Sequence, residues 1–324
     1  MDPRERQGTG FGVLAYLWWG IFPLYFRLLD ASGPVEIVLH RIVWSLAVCL
    51  GVVAVTRSWT ALREVLGDHR RVAWLATAAA ILALNWGVYV YAVNAGHVVE
   101  ASLGYFVNPL VTVLLGVLVL GERLRGGQWV AVGVGTVAVL VLTADYGRVP
   151  VLALTLAVSF GGYGLLKHRL GVSVPALTGL TVEALVLTPP AVAVLTWFAV
   201  TGRSTFAVDA PRQGLLLSTA GIATVVPLLL FAAAARRVQL TTIGLLQYLT
   251  PTLQFLIGVL VLDEHMPASR WVGYTLVWAA LAVLTVDGLR AARQDHRPEV
   301  TTPVSPEVTV PVNADVHRMA ATRR

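Results

Sequence analysis

Ten long apolar stretches constrain this chain before any single residue does. They lie near residues 11–29, 35–56, 72–93, 100–120, 127–143, 150–166, 176–200, 214–235, 241–262 and 270–288. Each approaches the ~20 residues a helix needs to cross a ~30 Å hydrocarbon layer. Inside that layer only helices and closed barrels satisfy every backbone donor and acceptor, and these runs lack the alternation of barrel strands. The expectation is an all-α membrane protein with ten transmembrane helices. Composition agrees: 13% of residues are charged, about half the share of a soluble domain.

The charge that remains is segregated. With ten spans and the N-terminus inside, one side collects Arg4 and Arg6, then Arg57, Arg63, Arg70 and Arg71, then Arg123 and Arg125, Lys167 and Arg169, Arg236 and Arg237, and the six arginines of the tail. The opposite loops hold only Arg148, Arg203, Arg212 and Arg270. A net charge of +6 placed this way reports the positive-inside rule rather than nucleic-acid binding, so both termini are expected in the cytoplasm. The first run exceeds a signal-peptide core and holds Pro23 and Arg27, so it is read as a retained span. Cys49 is the single cysteine and forms no intrachain disulfide. The polar, Pro-interrupted tail from residue 289 buries too little apolar surface to fold by itself.

The chain repeats itself at an offset of 142. "LGYFVNPLVTVLLGVLVLGE" at 103–122 aligns without gaps on "LLQYLTPTLQFLIGVLVLDE" at 245–264, setting Pro109 on Pro251, Gly116 on Gly258 and Glu122 on Glu264; Trp129 then meets Trp271. The expected organisation is two five-helix repeats, 11–143 and 150–288, flanked by 1–10 and 289–324. Five is odd, so the second copy enters the membrane from the opposite side. Inverted repeats of this kind are a common architecture of secondary transporters.

The phrases "AYLWWGIFPLYFRLL", "EIVLHRIVWS", "NWGVYVYAVNAGHVVEASLGYFVNPLV" and "GLLQYLTPTLQFLIGVLVLDE" resemble the RarD group of EamA-domain permeases, in the drug/metabolite transporter superfamily, over about residues 10–290. The resemblance implies a 5+5 inverted-repeat carrier of the bacterial inner membrane, without supplying a cargo. Together these features predict a secondary active permease for a small metabolite or drug-like molecule, working by alternating access and calling for no cofactor. Its expected partners are that small molecule, anionic or zwitterionic, and the lipid bilayer; a homodimer stays open.

Within the second run, Glu36, His40 and Arg41 interrupt apolar sequence. An Arg some 8–9 Å below the boundary is costly facing lipid, by at least about 2.5 kcal/mol. It either snorkels or faces a cavity. Arg41 falls on Glu183 at the same offset, which favours a cavity: Arg41 would take an anionic group, with Glu183 and His40 as proton-responsive partners. A permanent Arg41–Glu183 salt bridge is the competing structural role. A second, uncharged set comprises Asn85 and Tyr89 on one helical face, Tyr105 and Asn108 beside Pro109, and Gln247 and Gln254 around Pro251. Membrane prolines kink helices where the backbone lines a cavity, so Pro109 and Pro251 are expected hinges. The amides are otherwise helix–helix glue, worth about 0.6 kcal/mol each.

Readings from other classes are weaker. A non-transporting scaffold or sensor shares the hydropathy pattern. An intramembrane enzyme would need placed nucleophiles or ligands, whereas "HVVE" at 97–100 lacks the second His of a zinc helix and no nucleophile elbow or phosphate loop occurs.

Overall fold

The computed structural model describes residues 3–121, 123–170, 174–206, 211–235, 237–238 and 246–295. Among these the regular structure is helical throughout: α1 (Pro3–Gly20), α2 (Phe22–Arg27), α3 (Pro34–Thr56), α4 (Trp59–Leu66), α5 (His69–Asn94), α6 (Val98–Leu120), α7 (Gly126–Tyr146), α8 (Val151–Leu170), α9 (Ala176–Val200), α10 (Pro211–Ala235), α11 (Leu249–Leu260) and α12 (Ala268–Asp295). Eight segments, with α1 and α2 counted as one, are long and apolar enough to cross a membrane; α8 and α11 carry shorter apolar stretches, Val151–Lys167 and Leu249–Leu260.

Local chemistry sets the boundaries. Pro34 occupies the first turn of α3, where its missing N–H is no loss. Asp68 caps α5 by accepting from the Arg70 and Arg71 amides at 3.0 and 3.1 Å. Gly121 ends α6 with φ +69°, a left-handed conformation that favours glycine. The first run is longer than expected, starting at Pro3, and breaks at Ile21 just before Pro23. The last helix passes the expected end at 288 and runs to Asp295; the tail beyond it and Glu122 lie outside the described residues.

Helix starts recur at the sequence offset. Pro34 and Ala176, His69 and Pro211, and Gly126 and Ala268 are each 142 apart. The packing pairs follow the same register: α1 on α10 and α8 on α5, α3 on α10 and α9 on α5, α6 on α8 and α11 on α1.

Prolines tie several of these pairs together. Each removes one intrahelical hydrogen bond and frees the carbonyl four residues earlier. Pro23 frees Trp19, whose carbonyl accepts from Gln254 Nε2 at 3.2 Å. Pro227 frees Ala223, whose carbonyl accepts from Trp18 Nε1 at 3.1 Å. Glycines supply close approach elsewhere: Gly221 of α10 rests on the backbone of Trp44 in α3, and Gly135 faces Leu110. Gly161 is flanked by Leu115 and Val111, whereas Gly133, Gly162 and Gly164 face open space.

Candidate functional site

The centre of the bundle is built on Arg41. It lies two turns into α3 and is 5% exposed, so it does not snorkel. Gly221 lets α10 lie against α3 at Trp44, and one turn further along α10 Thr224 Oγ1 accepts from Arg41 Nε at 2.7 Å. The Trp86 ring of α5 covers the guanidinium at 4.1 Å, with Phe22 at 5.4 Å and Phe26 at 5.7 Å. Such cation–π contacts reach about 2 kcal/mol when desolvated. Among the described residues Arg41 has no carboxylate partner and no acceptor other than Thr224.

Glu183 of α9 is buried too, but it has its own cation. Lys167 Nζ donates to Oε1 at 2.6 Å, and the Tyr163 hydroxyl donates to Oε2 at 3.3 Å. No Arg41–Glu183 ion pair is present among the described residues. Trp86 nevertheless lies between the two groups. A cavity of about 10 Å3, room for about one water, is lined by Ser45, Trp86 and Glu183 among others, and Trp86 is the ring that carries Arg41.

Tyr89 and Tyr105 meet edge to face at 5.6 Å; Tyr89 also packs on Phe26, and its buried hydroxyl has no hydrogen-bond partner. Asn85 is held by Leu156 O at 3.1 Å and Ser159 Oγ at 2.9 Å, with the Tyr105 hydroxyl 3.5 Å from its Oδ1. Asn85 therefore glues α5 to α8. Asn108 leaves Oδ1 unpartnered near Gly161. Gln254 joins α11 to α1 through Trp19, with Oε1 unpartnered. Gln247 sits half-buried in the turn before α11. Pro109 lies inside α6, and Pro251 falls in the first turn of α11, just after the turn at 247–248.

His40 is drawn away from this centre toward the bundle end that carries Glu36. Its ring stacks on Phe206 at 4.8 Å and its Nε2 is unpartnered. Glu36 straps the same loop: Oε1 accepts from Ser204 Oγ and the Thr205 amide at 2.9 and 2.8 Å, and Oε2 from Thr205 Oγ1 at 2.9 Å. Glu264, in the loop between α11 and α12, makes a second closure by accepting from the Val98 and Val99 amides at 2.6 and 2.8 Å. These amides open α6, where a carboxylate is favoured. Burial holds the Glu264 carboxyl above its ordinary 4.5, against the Val99 and Val98 amides and nearby His97 and Arg27, which pull it down.

Sequence reasoning missed Lys167, Tyr163, Thr224 and Trp86. Lys167 carried a signal, being the only lysine in the chain, yet its place among inner basic residues disguised it. Thr224 and Trp86 carried none, because threonine and tryptophan are ordinary in membrane helices.

The EamA-like transporter family matches this sequence twice, over residues 6–144 and 148–286. The chain is 50% identical over 303 residues to Protein RarD of Streptomyces exfoliatus, covering 93% of this chain and 96% of that one. An uncharacterized transporter of Vibrio cholerae is 40% identical, with 90% and 96% covered. The chloramphenicol-sensitive protein RarD of Pseudomonas aeruginosa is 33% identical, with 90% and 97% covered. One crystal structure is similar with a TM-score of 0.58 at 20% identity, over 88% of this chain and 98% of its own, a likeness of fold alone.

Proposed function

The chain belongs to the EamA-like transporter family, in its RarD group, and on that premise we propose that this multi-pass inner-membrane transporter is a secondary active permease working by alternating access. The proposed frame is two inverted repeats of five helices, 11–143 and 150–288, with both termini cytoplasmic. Glu36 and Glu264 then close the outer end, and Lys167 lies toward the inner end. Recurrence of helix starts and packing pairs at one offset supports this frame, because symmetric halves supply two packings of similar energy.

The observation that carries the site is Arg41: a buried guanidinium on an aromatic face with no carboxylate partner among the described residues. Leaving a charge buried and unpaired is expensive, so its retention fits a group whose partner arrives with the cargo. The cavity that Trp86 and Glu183 line has room for about one water, so cargo enters only when helices part. Glu183 and His40 remain the proposed proton-responsive groups.

The test is thermal stabilisation of purified protein across a metabolite and drug panel at two pH values, followed by uptake of each hit into proteoliposomes. Wild type is expected to bind and transport a hit that Arg41→Gln, inserted normally, neither binds nor moves. Binding without movement would indicate a sensor, and unchanged transport in Arg41→Gln would remove Arg41 from the site.

A further inference from the structure

Resting on that reading of Arg41 as the cargo site, we infer that the cargo is a monoanion with an apolar or aromatic body, and that Lys167 is the residue that excludes zwitterions and cations. The argument is a charge count on the two groups flanking Trp86: Arg41 against its ring, and Glu183 across the cavity that Trp86 also lines. Arg41 contributes one positive charge that no described side chain neutralises. Glu183 contributes one negative charge, but both of its oxygens are engaged, Oε1 by Lys167 and Oε2 by Tyr163. Among the described residues, the two groups thus offer one unmet cation and no unmet anion.

Geometry narrows the anion further. Thr224 occupies the Nε edge of the guanidinium and Trp86 covers a face. The terminal nitrogens remain, and they match a planar two-oxygen acceptor such as a carboxylate. Phe22 and Phe26 stand beside the guanidinium, Tyr89 packs on Phe26 with its hydroxyl unpartnered, and Tyr105 packs on Tyr89. These walls suit an apolar or aromatic body. An ammonium group would have to displace Lys167 from a carboxylate that is 2% exposed, leaving that lysine without its partner.

The repeat offset sharpens this assignment. Arg41 and Tyr25 of the first half fall on Glu183 and Lys167 of the second. Arg41 and Glu183 carry opposite charges at matching positions, and where the second half has Lys167 as counter-charge the first has the uncharged Tyr25. Lys167 therefore acts as a built-in occupant of the carboxylate and sets specificity without touching the cargo.

The experiment uses four probes with one phenyl body: 3-phenylpropionate, its amide, phenylalanine and phenethylamine. Binding to the purified full chain is read by tryptophan fluorescence and thermal shift. Wild type is expected to bind 3-phenylpropionate at least about tenfold more tightly than the other three, the scale of a charge-assisted hydrogen bond. Arg41→Gln should lose that preference. Lys167→Gln should raise the affinity for phenylalanine and phenethylamine relative to 3-phenylpropionate, because the Glu183 carboxylate is released. Should that variant not fold, Glu183→Gln gives the opposite readout: it frees Lys167 and should widen the preference for the anion. If phenylalanine or phenethylamine wins in wild type while Arg41→Gln still weakens binding, the monoanion assignment is overturned and Arg41 keeps its place in the site. If no probe binds, or binding is indifferent to Arg41, both the assignment and the site reading fall. An unchanged ranking in the folded Lys167 or Glu183 variant overturns the role of Lys167.

Discussion

Gly221 lies directly on the backbone of Trp44, and this contact seats Thr224 against Arg41. A Cβ at 221 would meet backbone atoms, which cannot turn aside. Gly221→Ala is therefore expected to destabilise the protein by about 1–3 kcal/mol. Gly133→Ala, facing open space, should be neutral or up to about 1 kcal/mol stabilising. Thermal melts of the two variants in one detergent check the contrast.

Lys167 and Glu183 should behave as a unit. Removing Lys167 with Lys167→Met strands a buried carboxylate and should cost about 3–5 kcal/mol; the lysine's partial exposure, 30%, places the value at the lower end. Adding Glu183→Gln should recover most of the loss. A double-mutant cycle on melting temperature would show independence, and so refute the coupling, if the two costs simply add.

Glu264 makes the closure over α6 sensitive to pH. Its carboxyl sits above the ordinary 4.5 when buried on Val98 and Val99 and returns to that value once solvated. The buried arrangement binds more protons, so acid favours it, and the benefit fades as pH rises from 4.5 through the raised value. His97, Arg27 and Tyr274 are the charged or titratable groups that bear on it. Hydrogen exchange at Val98 and Val99, corrected for intrinsic rate, should slow as pH falls through that window. Glu264→Gln should abolish the dependence.

Glu36 holds the loop at Ser204 and Thr205 with three hydrogen bonds. Glu36→Ala should loosen residues 201–206 and expose the His40–Phe206 stack, at a cost of about 1–3 kcal/mol from unpaired partners. Faster exchange confined to that loop would bear this out; a global loss of protection would point instead to misfolding of α3.

Much of the fold was legible because a bilayer leaves few solutions. Apolar length located the helices, and their observed starts at 34 and 176, 69 and 211, and 126 and 268 keep the 142-residue register seen in the sequence. Boundaries set by capping and by neighbours were less accessible: α1 begins at Pro3 and α12 continues to Asp295. The burial of Arg41, Asn85, Tyr89, Glu183 and Gln254 follows from the cost of polar groups in hydrocarbon. Their partners were not legible. Asn85 turns to Ser159, Gln254 to the carbonyl freed by Pro23, and Glu183 to Lys167 rather than Arg41. Which of several nearby polar groups pairs with which depends on side-chain reach and helix rotation, and residue type alone encodes neither.

The Arg41–Thr224 hydrogen bond joins residues 183 positions apart, and that distance has a meaning during synthesis. A ribosome adding about 5–20 residues each second delivers Thr224 on the order of ten to forty seconds after Arg41 has emerged. Throughout that interval α3 carries an arginine with its eventual partner still untranslated. Its entry into the bilayer must therefore be tolerated by the insertion machinery or delayed until α10 arrives.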